Sequence, residues 1–159
     1  MQSTENGGTA IELRIVQAGF DDVDRVAPLF DQYRQFYGQE ADSLGARSFI
    51  EERIRNLQSV ILLALVRHDE PFGFAQLYPS FSSVSMRQIW VLNDLYVVEA
   101  ARRKGVAWAL LDKAKEVSMK SKAKGLVLAT AIDNHSAKTL YESFGFIRDD
   151  EFHHYFLPT

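Results

Sequence analysis

Asp94-Leu95-Tyr96-Val97-Val98-Glu99-Ala100-Ala101-Arg102-Arg103-Lys104-Gly105-Val106-Ala107 decides how the chain folds, because it runs from an apolar strand pattern through a basic turn into the start of a helix. Arg102, Arg103 and Lys104 stand immediately before Gly105, where the helical pattern begins. Free backbone N–H groups, the positive end of a helix dipole and cationic side chains therefore converge on one small volume. Gly105 lets the backbone approach an anion closely, and Ala107 keeps the first helical turn uncrowded. The dipole alone contributes only about 0.3–1 kcal/mol at an exposed terminus, so several amides and side chains must share the binding. Two readings stay open at this level: an anion site, or a solvated basic loop with an ordinary turn glycine. The chain contains neither G-x-x-x-x-G-K-S/T nor G-x-G-x-x-G, which argues against a nucleotide triphosphatase or a dinucleotide-binding oxidoreductase.

Upstream, residues 88–98, QIWVLNDLYVV, read as a strand that follows a hairpin of strands 59–67 and 72–78 around the turn at 68–71. Residues 12–18, ELRIVQA, alternate like a half-buried strand. Val23, Val26, Ala27, Phe30, Tyr33 and Tyr37 recur at helical spacing after Asp21 and Asp22, with Pro28 inside the pattern as a predicted kink and Gly38 as its stop. A second helix covers 44–57, with Phe49, Ile50, Ile54 and Leu57 on one side. Downstream, 105–119 is a helix, 126–131 a strand, 136–144 a helix closed by Gly145, and 152–157 a terminal strand. The order is βααβββαβαβ. Hairpins come first and helical crossovers later, so the fold class is α/β (α+β): a mixed central sheet, antiparallel early and partly parallel late, flanked by helices.

The chain has 159 residues, 47% of them apolar and 25% charged, close to the average of globular chains and enough for one core. Residues 11–159 read as a single domain after a loose tail at 1–10 that lacks the pattern of a secretory signal. A net charge of −3 provides no overall basic field for nucleic acid or an anionic membrane. The longest apolar run, 60–66, is far too short to span a bilayer. No cysteine is present, which excludes disulfides, thiolate nucleophiles and Cys-type zinc sites and fits a reducing, cytoplasmic compartment. His68, His135, His153 and His154 show no ligand spacing with supporting carboxylates, so no metal is expected.

The pattern Arg102-x-x-Gly105-x-Ala107 after Asp94-Leu95-Tyr96-Val97 resembles the pyrophosphate-binding motif of the GNAT superfamily of acyl-CoA-dependent N-acetyltransferases. A second block, Asn134 followed by Ala137-Lys138-Thr139-Leu140-Tyr141-Glu142-Ser143-Phe144-Gly145-Phe146, is similar to that family's N-x-x-A-x-x-x-Y-x-x-x-G-F pattern. Together the blocks cover residues 90–147, and the order of elements suits the GNAT acyl-CoA N-acyltransferase fold. The resemblance implies acetyl-CoA as co-substrate and transfer of its acetyl group to a primary amine by direct attack in a ternary complex.

In such folds the strand holding Val97 and the strand holding Ala129 splay apart, and the acyl-pantetheine arm lies in the gap. By that analogy Leu95, Tyr96 and Val97 supply main-chain contacts, with Val97 N–H as the donor to developing negative charge. Arg102, Arg103, Lys104, Gly105, Val106 and Ala107 hold the pyrophosphate. Asn134, Ala137 and Lys138 belong to the same cofactor-binding set, although helix capping is the commoner role of an asparagine at such a position. Tyr141 falls where the family often has the general acid that returns a proton to the CoA thiolate; its other role is to pack beside Leu140 and Phe144.

The base is less plainly marked. Some relatives carry a glutamate immediately before the Asp-Leu-Tyr-Val equivalent, where this chain has Asn93, which cannot accept the proton. Asp94 is adjacent, but alternation turns neighbouring side chains to opposite faces unless a bulge intervenes. The expectation is water-mediated proton loss with Asp94 participating, against the alternative that Asp94 is a structural hydrogen-bond acceptor.

Tyr33, Tyr37, Tyr78 and Trp90 are the expected acceptor-binding residues, with Phe36, Glu40, Asp42 and Phe81 nearby in the same regions. Aromatic faces and carboxylates together attract a cationic amine, which suits a polyamine, an amino acid or a lysine-bearing peptide. The general look of 33–37 and 93–97 is similar to the histone- and polyamine-type branch. The terminal strand could pair with a second copy, so a homodimer is expected. The alternative to the enzyme is a non-catalytic acyl-CoA-binding regulatory module, kept open by Asn93; nucleic-acid binding through residues 102–104 stands against the acidic total.

Overall fold

Val60–Val66 is apolar throughout and forms strand β2, buried at every position after Val60 because both of its faces are covered. This is the centre of a computed structural model that describes residues 12–159; the tail expected at 1–10 lies outside the described residues. Before β2 come β1 (Arg14–Gln17), α1 (Val23–Phe36) and α2 (Ser43–Arg55); after it come β3 (Glu70–Ser82), β4 (Arg87–Val97), α3 (Val106–Lys120), β5 (Leu126–Val127) and α4 (His135–Phe144). The chain divides into two compact units, the first ending at Leu128 and the second comprising Ala129–Thr159.

In the first unit the strands lie in the order β1-β2-β3-β4-β5. The pairings from β1 to β4 are antiparallel and the β4–β5 pairing is parallel, as the connection lengths require. Helices α1 and α2 cover one face, where Val26, Phe30, Ile50, Ile61, Leu63 and Phe74 share a core cluster. Helix α3 packs against β2, β3 and β4 and contributes the fully buried Leu110, Leu111 and Ala114. Alternation explains the division: Ile61, Leu63 and Leu65 of β2 meet α1 and α2, and the residues between them turn the other way. Helix α1 runs through Pro28 as one element, because a proline removes a single ladder bond and both flanking turns are held by burial of Val26, Ala27, Leu29 and Phe30.

Two expectations are corrected. The strand expected over 126–131 ends at Val127. Its ladder reaches only Trp90 and Val91 of β4, just before β4 changes register with β3, and a strand that bends at a bulge stops offering a parallel neighbour a straight edge. The second unit contains α4, capped by the Asn134 side chain and closed by Gly145, and residues 152–157 form no strand. An isolated extended segment has no hydrogen-bonded neighbour within that unit, so local β-propensity has nothing to act on.

Candidate active site

The register of β3 and β4 places the site. Gln76 pairs with Asp94 and Leu77 with Leu92, so β4 carries one extra residue, Asn93, as a bulge. Before the bulge, Trp90 faces α3 and donates from Nε1 to Ser121 Oγ at the end of that helix, at 2.9 Å. After it, Tyr96 packs into the cluster of α1 and α2 on the opposite face. The extra residue lets Asn93 and Asp94 both open onto the α1/α2 face.

There they line a cavity of about 510 Å³ whose walls include Tyr33 of α1, Tyr37 just after it, Phe49 of α2 and Tyr78 of β3. The Tyr33 hydroxyl donates to the Asn93 carbonyl at 3.2 Å, which ties α1 to the bulge. Asp94 is buried, and its carboxylate accepts from Gln76 Nε2 at 2.6 Å and from Asn93 Nδ2 at 2.9 Å. Burial holds the Asp94 carboxyl above the usual carboxylate range, while the hydrogen bonds from Gln76, Asn93 and Tyr33 pull it back down. Burial, with the nearby Asp94 charge, pushes the Tyr78 phenol up to about 12, so Tyr78 stays a neutral donor at any physiological pH. The cavity thus joins aromatic faces to a carboxylate whose proton affinity is raised, an arrangement suited to taking up a cationic amine and accepting its proton.

At the far end of β4 the basic turn has the geometry of an anion cradle. Gly105 caps α3 at φ +80°, and a Cβ built on it would meet no atom within 4 Å, so open space lies directly over the backbone. The first intrahelical bond runs from Ala109 N to Gly105 O, which leaves the Val106 and Ala107 amides directed out of the helix end. Arg102, Arg103 and Lys104 are exposed around them. Arg102 Nε donates to Val97 O at 3.1 Å and Lys104 Nζ to Ala100 O at 2.8 Å, so each cationic group is tied to the backbone by one bond. These residues fit a diphosphate. Val98 N donates to Phe72 O, so by alternation Leu95 and Val97 direct their main-chain groups away from β3, to the edge of β4 that β5 leaves unpaired beyond Val91.

The expected acceptor residues are only partly brought together. Tyr33, Tyr37, Tyr78 and Asp42 line the cavity, but Trp90 does not: it is buried on the other face of the sheet. Phe36 and Phe81 are exposed, and Glu40 lies at the surface with its carbonyl facing Arg34. Within the second unit Asn134 Oδ1 accepts from Ala137 N at 3.1 Å, so this side chain is a helix cap and the Ala137 amide is committed to it. Lys138 Nζ donates to Ile132 O at 2.8 Å, and the Tyr141 ring packs edge-on against Phe146 at 5.7 Å. Sequence reasoning missed lining residues such as Arg34, Gln39 and Phe49, the last absorbed into a helical stripe, and it missed Gln76, which bonds Asp94 from behind the cavity wall. The signal for Gln76 was present, a lone polar residue within the apolar FGFAQLY of β3. Among the described residues, no group of three or more His, Asp or Glu side chains is placed to hold a metal ion, and no helix is long and apolar enough to cross a membrane.

A model of the Acetyltransferase (GNAT) family matches residues 26–146. The chain is 48% identical over 145 residues to the protein named Uncharacterized N-acetyltransferase YhfO of Bacillus subtilis (strain 168), a match that covers 91% of this chain and 97% of that relative. It is 30% identical over 134 residues to a probable acetyltransferase of Haemophilus influenzae, covering 84% of this chain and 90% of the other. The crystal structure of a probable acetyltransferase superimposes with a TM-score of 0.88 at 48% identity, covering 92% of this chain and 97% of that one. The chain belongs to the GNAT acetyltransferase family. It is an acetyltransferase enzyme, and the mixed five-stranded sheet described above is the fold of that family.

Proposed function

We propose that the enzyme transfers acetyl from acetyl-CoA to a primary amine of a polyamine, an amino acid or a lysine side chain, by direct attack with both substrates bound. The observation that carries this reading is Asp94, a buried carboxylate with raised proton affinity on the wall of an aromatic cavity. Acetyl-CoA supplies an acetyl group activated as a thioester. The Val106 and Ala107 amides with Arg102, Arg103 and Lys104 hold its diphosphate, and the main-chain groups of Leu95 and Val97 orient the arm, those of Tyr96 being turned to β3. Val97 N–H stabilises the negative charge that develops on the carbonyl oxygen.

Tyr33, Tyr37 and Tyr78 present ring faces and hydroxyls to the acceptor. An amine with a pKa near 10 costs roughly 4 kcal/mol to deprotonate at neutral pH, so a proton acceptor beside it matters. Asp94 takes that proton, directly or through one water, and its raised proton affinity narrows the gap to the amine. Tyr141 returns a proton to the departing thiolate, a role that rests on its place in the second motif. The family match spans both compact units, which supports their working as one catalytic domain.

A panel of polyamines, amino acids and lysine peptides, assayed by thiol release from acetyl-CoA, tests the reading. Turnover with at least one primary amine, strongly reduced in Tyr141→Phe, is the expected result. Saturable acetyl-CoA binding by calorimetry without thiol release for any amine overturns the acceptor class.

A further inference from the structure

Gln76 is completely buried in the middle of β3, directly across the ladder from Asp94. Its neighbours in sequence are apolar, and a leucine would fill the same space without a polar group to satisfy. Both ends of the amide are nevertheless engaged: Nε2 donates to Asp94 Oδ2 at 2.6 Å, and Oε1 accepts from Ser59 Oγ at 2.8 Å. A carboxylate only accepts, so the amide nitrogen must point to Asp94, and the oxygen is left for the Ser59 hydroxyl. The chain Ser59–Gln76–Asp94 therefore has one sense of donation and enters Asp94 from β3. Asp94 Oδ1 is engaged by Asn93, an exposed residue of the cavity lining.

We propose that Gln76 is a positioning residue for acetyl transfer: anchored by Ser59, its amide fixes Asp94 Oδ2 from beneath and thereby presents Asp94 Oδ1 to the acceptor amine. The proposal rests on Asp94 being the proton acceptor. A carboxylate held on one oxygen by a short bond from a buried donor cannot rotate away from the cavity, and its ionised form is favoured over what burial alone would allow. Asn93 and Tyr33 also bond the Asp94 carboxylate, and the other titratable or charged groups that face the cavity are Arg34 of α1, Tyr37 just after α1, Asp42 ahead of α2 and Tyr78 of β3, with Arg53 of α2 acting on Tyr78. None of these changes identity in a substitution at position 76 or 59.

The test uses Gln76→Leu and Ser59→Ala in the full chain, with two readouts: the carboxyl titration of Asp94 followed by carbon NMR, and the pH profile of kcat/KM. Gln76→Leu is expected to raise the Asp94 titration by about one pH unit, to move the acid limb of the rate profile upward with it, and to lower kcat more than it raises KM for the amine. Ser59→Ala, which leaves Gln76 in place but unanchored, shifts both in the same direction by less; because Ser59 lies at the partly exposed end of the chain of bonds, it carries the test if Gln76→Leu fails to fold. An Asp94 titration that is unchanged in both variants overturns the clamp itself. A titration that moves while the rate profile does not overturns the catalytic role through Asp94, since the clamp is then real but the proton acceptor lies elsewhere.

Discussion

Asn93 Nδ2 donates to Asp94 Oδ1 at 2.9 Å, so two consecutive residues of one strand open onto the same face of the sheet. Regular β-structure would set them on opposite faces, and the extra residue of the β4 bulge removes that separation. The bulge keeps the Asp94 carboxylate on the face that carries the cavity, while the side-chain amide of Asn93 becomes its hydrogen-bond donor.

Asp94→Asn is expected to lower kcat/KM by about 10²–10⁴-fold, the range of a lost general base. Only the ionised carboxylate accepts a proton, and burial raises its proton affinity, so the wild-type rate falls as pH drops through a value above the usual carboxylate range. The acid limb should vanish in Asp94→Asn. Thiol-release kinetics from acidic to neutral pH check both points, and an unaltered limb in the variant assigns the proton to another group.

The same burial makes a second, opposite prediction for stability. The folded-state pKa of Asp94 lies above its unfolded value, so the folded protein binds more protons between those two values and loses stability as pH rises through that window. Above the window the ionised group is a standing cost. Asp94→Asn removes it, and the hydrogen bonds survive because the Gln76 amide can turn over against Ser59, whose hydroxyl donates or accepts. The variant should melt higher than wild type at neutral pH, with the difference shrinking toward acid. Equal differences at all pH values would show that Asp94 carries no linked proton.

The basic turn, the helix start at Gly105 and the aromatic helix of Tyr33 and Tyr37 were legible in the sequence because each is local: a strand, a turn and a periodic helix announce themselves within a dozen residues. The bulge was not. It exists only in the register between two strands, and it decides whether Asp94 and Trp90 face the cavity. The sequence of β4 alone left Asp94 ambiguous and made Trp90 an acceptor residue. The extent of β5 was missed for the same reason, since an apolar run shows that a strand is possible and a partner's edge decides how far it pairs.

Trp90 gives a test of that correction. Its indole is buried against α3 and donates to Ser121 Oγ, on the face of the sheet away from Tyr33 and Tyr78. Trp90→Phe should cost about 1–2 kcal/mol through the lost hydrogen bond and imperfect refilling, seen in chemical denaturation. KM for the amine should not change. A rise in KM for the amine at constant stability would return Trp90 to the acceptor site.

Gly105 separates backbone strain from ligand binding. At φ +80° an alanine is held in the left-handed region at a cost of about 1–2 kcal/mol. That corresponds to a fall in Tm of about 2–4 °C per kcal/mol for a chain of this size. No protein atom crowds the added methyl, so folding loses nothing further. The methyl instead occupies the open space over the Val106 and Ala107 amides, where a diphosphate must come close for those donors to reach it. Gly105→Ala should therefore weaken coenzyme A binding in calorimetry by far more than its small Tm change accounts for. A variant with the expected Tm loss and unchanged affinity would show that the diphosphate does not approach the helix end at Gly105.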